Sequence, residues 1–158
     1  MNKPQLREVG IVDVTFGKNV TVVLPANQYG CAVGDGVFVG PFVEIQKGVT
    51  IGARTRVQSH SFICELVTIG EDCFIGHGVM FTNDVFADGG PARGDTTLWK
   101  STAIGNRVSI GSNVTILPVD ICDDVVIGAG AVVTRNIEKA GIYAGVPARL
   151  MRAVCSDE

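Results

Sequence analysis

The chain has 158 residues, enough for one domain or one repeat array. It is 46% hydrophobic but only 6% aromatic, so its core is built from Val and Ile rather than from rings. A net charge of −3 and an isoelectric point near 5.3 lack the basic footprint of a nucleic-acid binder, and no apolar run of about 18 residues is present to span a membrane.

The start, Met1-Asn2-Lys3-Pro4-Gln5, lacks the apolar stretch of a signal peptide. Residues 1–32 read as an irregular lead-in. Phe16 and Val22 hold a six-residue spacing, and then Pro25-Ala26-Asn27 and Tyr29-Gly30 break it. From Val33 every sixth residue is aliphatic or aromatic: Val33, Val39, Ile45, Ile51, Val57, Ile63, Ile69, Ile75 and Phe81. A period of six matches neither a helix nor an alternating strand. It matches a chain that makes a short strand, turns a corner and repeats, which is the hexapeptide signature of a parallel β-helix. Three hexads predict a triangular coil of 18 residues, with residue i beneath i+18 and a climb of about 4.8 Å per coil. Between Phe81 and Ile104 the period fails, and the segment 84–100, with Gly89-Gly90-Pro91 and Gly94, reads as an excursion loop. The array resumes at Ile104, Ile110 and Ile116, then at Ile121, Ile127 and Val133. After it a turn through Gly141 to Pro147 and a short helix to about Ala153 are expected to cap the last coil. The five cysteines form no C-x-x-C pair and read as reduced thiols of a cytoplasmic protein, most of them simply buried.

The hexads and the ending Gly145-Val146-Pro147-Ala148-Arg149 resemble the left-handed β-helix acyltransferases of the hexapeptide-repeat superfamily over roughly residues 10–150. Three longer stretches carry a narrower resemblance: Phe42 to Lys47, Ser59 to Glu65, and Ile75 to Asp84. They are similar to the bacterial nucleotide-sugar 3-N-acetyltransferases, a group that includes UDP-2-acetamido-3-amino-2,3-dideoxyglucuronate N-acetyltransferase. The resemblance implies one all-β domain wound as a left-handed helix over 1–158. It also implies acetyl-CoA as donor, a nucleotide-linked amino sugar as acceptor, a homotrimer, and active sites between subunits. The product would feed lipopolysaccharide or a similar surface glycan.

Acetyl transfer to an amine needs both reactants held in attacking distance, an oxyanion donor and a route for the proton. Lys47, Glu65 and Asn83 are 18 apart and predict one polar column at the corner where the loop departs, with Gln46, Cys64 and Thr82 beside it. A solvated ladder with a weak Lys47–Glu65 pair is the plainer alternative. His60 and His77, the only histidines, fall at the preceding corner one coil apart, and either can take a proton near neutral pH. The resemblance implies that Asn83 and Asp84 face the sugar's amino end. Lys47, Glu65 and Arg93 would hold the sugar or its nucleotide. Other acetyltransferases of the superfamily place a histidine just past this corner. Here Val85-Phe86 stands instead, so His60, His77, Asp84 and the departing thiolate all stay open as proton acceptors. Gly111, Ala129 and Gly130 offer small corners for pantetheine, and Arg135, Lys139, Arg149 and Arg152 can meet the phosphates of CoA. The γ-class carbonic anhydrase of the same fold needs three histidine ligands for each zinc, and this chain has two, so no metal is expected. A non-catalytic β-helix would repeat one residue type on a flat face, which these corners do not. An O-acetyltransferase, or an N-acyltransferase with another small acyl group, is the serious alternative.

Overall fold

The computed structural model describes residues 4–5 and 8–153. Strands of two to four residues form three sheets of seven, six and eight strands, all parallel except the last strand of the third, the three sides of a triangular β-helix of about seven turns. The first face runs from Ile11–Val12 through Glu44–Ile45, Phe62–Ile63 and Met80–Phe81 to Val132–Val133. The second runs from Thr15–Phe16 to Asp120–Ile121, and the third from Thr21–Val22 to Arg149–Arg152.

Each side of a coil alternates in, out, in. Val43 and Ile45 are buried and Glu44 between them points outward; Val49 and Ile51 flank Thr50 in the same way. The hexad residues stack in ladders along each face. Val33, Ile51, Ile69, Ile104 and Ile121 lie in register on the second face. Val39, Val57, Ile75, Ile110 and Ile127 do so on the third. Branched aliphatics suit this position, because their stiff side chains pack on the copies above and below. Two inward hydroxyls are bonded: Thr55 Oγ1 donates to the Gly70 carbonyl and Ser61 Oγ to that of Gly76. The buried Thr102 hydroxyl has no partner among the described residues. Gln28 is a second such case. It is fully buried between Ile11 and Ile45, and neither amide atom has a partner.

Two sequence expectations need correction. Residues 11–32 are part of the array rather than an irregular lead-in. Ile11 pairs with Gln28 and Thr15 with Ala32, a step of 17 residues, whereas Phe62 and Met80 are 18 apart. One residue fewer per coil shifts the hexad frame and conceals it. The C-terminal helix is absent as well. Gly141–Ala144 adds to the third face beside Val125–Ile127, and Arg149–Arg152 folds back antiparallel on it. The capping task is performed by a hairpin, because the open edge of the last coil offers backbone partners that a helix cannot use.

The excursion leaves at Asn83 and returns at Lys100, whose N–H donates to the Asn83 carbonyl at 2.8 Å. Within it Thr96–Leu98 forms one 3-10 turn, capped by Asp95, whose Oδ1 accepts from the backbone N–H (3.0 Å) and hydroxyl (2.6 Å) of Thr97. At the edge between the second and third faces, Arg54 bridges Glu71 and Asp72, and Arg107 bridges Asp123 and Asp124. No helix among the described residues is long and apolar enough to cross a membrane. Cys155 lies outside the described residues; Cys31, Cys64 and Cys73 are buried and Cys122 is half-buried.

Candidate functional site

The sequence-derived residues gather on the two edges that flank the first face. The edge between the first and second faces carries Lys47, Glu65 and Asn83. The register that pairs Ile45 with Ile63 and Phe62 with Met80 stacks them as the spacing of 18 requires. Asn83 Nδ2 donates to the Glu65 carbonyl at 3.3 Å, and the Glu65 N–H donates to Gln46 Oε1 at 3.3 Å. With Nδ2 engaged, Asn83 Oδ1 is the acceptor left to face a ligand. The neighbouring Cys64 is buried, which pushes its thiol up to about 11 and keeps it protonated, so it does not supply a nucleophile.

Asp84 begins the loop and is occupied there. Oδ1 accepts from the Phe86 N–H at 2.9 Å and Oδ2 from the Ala92 N–H at 2.7 Å. Both oxygens thus pin the base of the excursion. Thr82, Asp84, Val85, Phe86 and Leu117 line a cleft of about 270 Å³ against it. Arg93 is exposed in the loop with φ +52°, away from the polar column in sequence and without an ion pair among the described residues.

The opposite edge, between the third and first faces, carries both histidines. They share the corner but not a column. His77 stacks above Ser59, whose Oγ lies 2.9 Å from Nδ1. His60 is one position further round, and its ring stacks on Phe42 with centroids 4.9 Å apart. Gly111, Ala129 and Gly130 continue this edge upward. Gly111 has a structural reason to be glycine: a Cβ there would sit 2.5 Å from the Ala129 nitrogen. Gly130 holds φ +70° with nothing within 4 Å of the site of a Cβ, so its outer side is open. Arg135 is exposed in the last coil, and Arg149 bonds through Nη1 only to its own neighbour's carbonyl, Ala148 O. Sequence reasoning assigns Phe42 and Ser59 no role beyond opening two of the family-like stretches, although Phe42 follows Pro41 at a corner where Gly or Asn usually turns the chain.

One chain therefore carries Asn83 on one edge and His77 on another, with a full sheet between them.

Two repeat models match: hexapeptide repeat of succinyl-transferase over residues 66–80 and 101–135, and bacterial transferase hexapeptide (six repeats) over residues 30–65. WbbJ of Escherichia coli K12, assigned to lipopolysaccharide biosynthesis as an O-acetyl transferase, is 34% identical over 148 residues, 88% of this chain and 71% of WbbJ. The chain belongs to the hexapeptide-repeat acyltransferase superfamily. The bifunctional protein GlmU of Streptococcus uberis is 33% identical over 143 residues, 85% of the chain. The chain spans only 31% of GlmU's length. Among solved structures, a galactoside acetyltransferase in complex with coenzyme A superposes with a TM-score of 0.67 at 31% identity, over 78% of this chain and 64% of the other. A perosamine N-acetyltransferase mutant from Caulobacter crescentus, in complex with CoA and GDP-perosamine, shares the fold with a TM-score of 0.64 at 22% identity, over 84% of this chain and 53% of the other.

Proposed function

We propose that this member of the superfamily transfers an acetyl group from acetyl-CoA to the 3-amino group of a nucleotide-linked sugar destined for a surface polysaccharide. The observation that carries the reading is the Lys47, Glu65, Asn83 column at the mouth of the excursion loop, with Asn83 Oδ1 free to accept from an amine. Use of acetyl-CoA is supported by the galactoside acetyltransferase bound to coenzyme A. A nucleotide-linked amino sugar is the ligand of the perosamine enzyme.

The unprotonated amine, oriented by Asn83, attacks the thioester carbonyl, and a C–N bond forms. The Gly111, Gly128, Gly130 and Ala131 N–H groups already bond carbonyls, so the Ala129 N–H, which makes no such bond among the described residues, is the corner donor that steadies the oxyanion. Collapse of the tetrahedral intermediate breaks the C–S bond and releases the CoA thiolate. The proton from nitrogen passes to His77. In the tautomer protonated at Nδ1, Ser59 Oγ accepts from Nδ1–H, and Nε2 of the exposed His77 carries the lone pair that receives it. Because Asn83 and His77 sit on different edges, a second copy has to bring its edge to the first. The homotrimer and the between-subunit site belong to this proposal, as does the cytoplasmic location where acetyl-CoA is held. The chemistry as written needs no metal.

The test is CoA-thiol release from acetyl-CoA with a panel of 3-amino UDP-, dTDP- and GDP-sugars beside their 3-hydroxyl counterparts. Turnover is expected with an amino sugar. Turnover of hydroxyl sugars alone would overturn the N-acetyl reading. It would favour O-acetyl transfer, the second reading, which the 34% identity to WbbJ supports.

A further inference from the structure

At the edge between the third and first faces, one corner position turns through the left-handed region in every coil from Phe42 upward: Phe42 (φ +60°), His60 (+64°), Gly78 (+65°), Asn113 (+57°) and Gly130 (+70°). Glycine and asparagine accept this conformation readily, and histidine is tolerated there; a phenylalanine is a steric outlier. Phe42 is nevertheless 57% exposed, so burial does not explain its presence. Its ring stacks on His60 at 30° between planes. Strained residues of this kind gather at ligand sites. Beneath the ring lies a cleft of about 260 Å³, lined by Pro25, Ala26, Asn27, Phe42, Val43 and Glu44 among others. Its floor is apolar and its rim carries a donor and an acceptor. Asn27 uses Oδ1 to accept from the Gly10 N–H, which leaves its NH₂ free, and Glu44 engages Oε1 with Gln46, which leaves Oε2.

We infer that Phe42 is the stacking platform for the nucleobase of the sugar nucleotide, with Asn27 and Glu44 meeting the base's carbonyl and N–H edge. The inference rests on the nucleotide-sugar reading above and adds where the base lies. An exposed aromatic ring binds any base through its π-face, which is why such a platform needs no further sequence of its own. Position selects the acceptor's base over the adenine of CoA. Phe42 lies two coils below His77, about 10 Å along the prism axis, a span that a ribose and diphosphate bridge when extended. The open Gly130 corner proposed for the donor lies above His77, in the opposite direction.

Phe42→Gly gives a clean test, since glycine occupies the same corner at Gly78 and Gly130 and relieves the backbone strain, so folding should survive. Titration of the full chain with UDP, dTDP, GDP and CoA, separately, reads the site. The expected result is that the nucleoside diphosphate bound by the wild type loses about tenfold or more in affinity. CoA binding and the melting temperature should hold, and Phe42→Trp should restore the affinity. Unchanged nucleoside diphosphate binding, or a loss confined to CoA, would overturn the assignment. A wild type that binds CoA but no nucleoside diphosphate would overturn the nucleotide-sugar reading along with it.

Discussion

Asn83 and Gln28 carry the same carboxamide group in opposite settings, one at an edge and one in the core. Asn83 is half-buried, anchored by one bond to the Glu65 carbonyl, and its remaining acceptor faces out. Asn83→Ala should lower kcat by about tenfold or more, the scale of losing one transition-state partner. The melting temperature should fall little; unchanged turnover in the thiol-release assay would remove Asn83 from the site. Gln28 is the reverse case, a buried amide with neither atom partnered. Gln28→Leu fills the same inward slot between Ile11 and Ile45 without stranding polar atoms. It is expected to stabilise the fold by about 1–2 kcal/mol, measured by urea unfolding, with activity unaffected. Of the site, the 18-residue spacing made the Lys47, Glu65 and Asn83 column legible. The two bonds that tie up Asp84 were not legible, because they close a loop of irregular backbone with no period to read. No spacing marks Phe42; its left-handed corner, its exposure and its stacking on His60 mark it only together.

At the scale of strands and edges, the sequence showed the middle of the prism best. Coils of 18 keep the hexad frame, so Ile45 through Phe81 were placed correctly. Coils of 17 slip that frame, so Ile11 through Val33 looked irregular. The C-terminal segment misled for a different reason. Ala148, Arg149, Leu150, Met151 and Arg152 all have good helix propensity. The unpaired edge of Val125–Ile127 outweighs it, and the chain extends that sheet instead. The charged edge also behaves as a unit. Arg54 holds Asp72 below the usual carboxylate range, chiefly through their hydrogen bond, and Arg107 does the same to Asp124. A carboxyl that is more acidic folded than unfolded contributes stability above its unfolded value, near 3.9, and loses it as pH falls through the folded one. The melting temperature should therefore be flat from neutrality down to about pH 5 and drop below about pH 4. Arg54→Gln with Arg107→Gln should flatten that drop, and an identical acid limb in the double variant would contradict the assignment. The effect should also weaken with salt, because these side chains are exposed.

The whole molecule is a stack in which no coil buries its inner face alone. That winding brings residues far apart in sequence onto shared edges, and it also keeps Asn83 and His77 apart by the width of a sheet. On the proposed function, catalysis is thereby tied to assembly, and a lone chain is expected to be inactive. The most direct test is subunit complementation between Asn83→Ala and His77→Ala. Each variant alone should be nearly inactive. Co-refolded in equal amounts, they should regain about a quarter of the wild-type sites, since one interface in four then pairs an intact Asn83 with an intact His77 from its neighbour. Recovery in the mixture, with thiol release following the fraction of mixed assemblies, is the predicted result. A mixture no more active than its components, or a wild type fully active as a monomer, would contradict a site shared between copies.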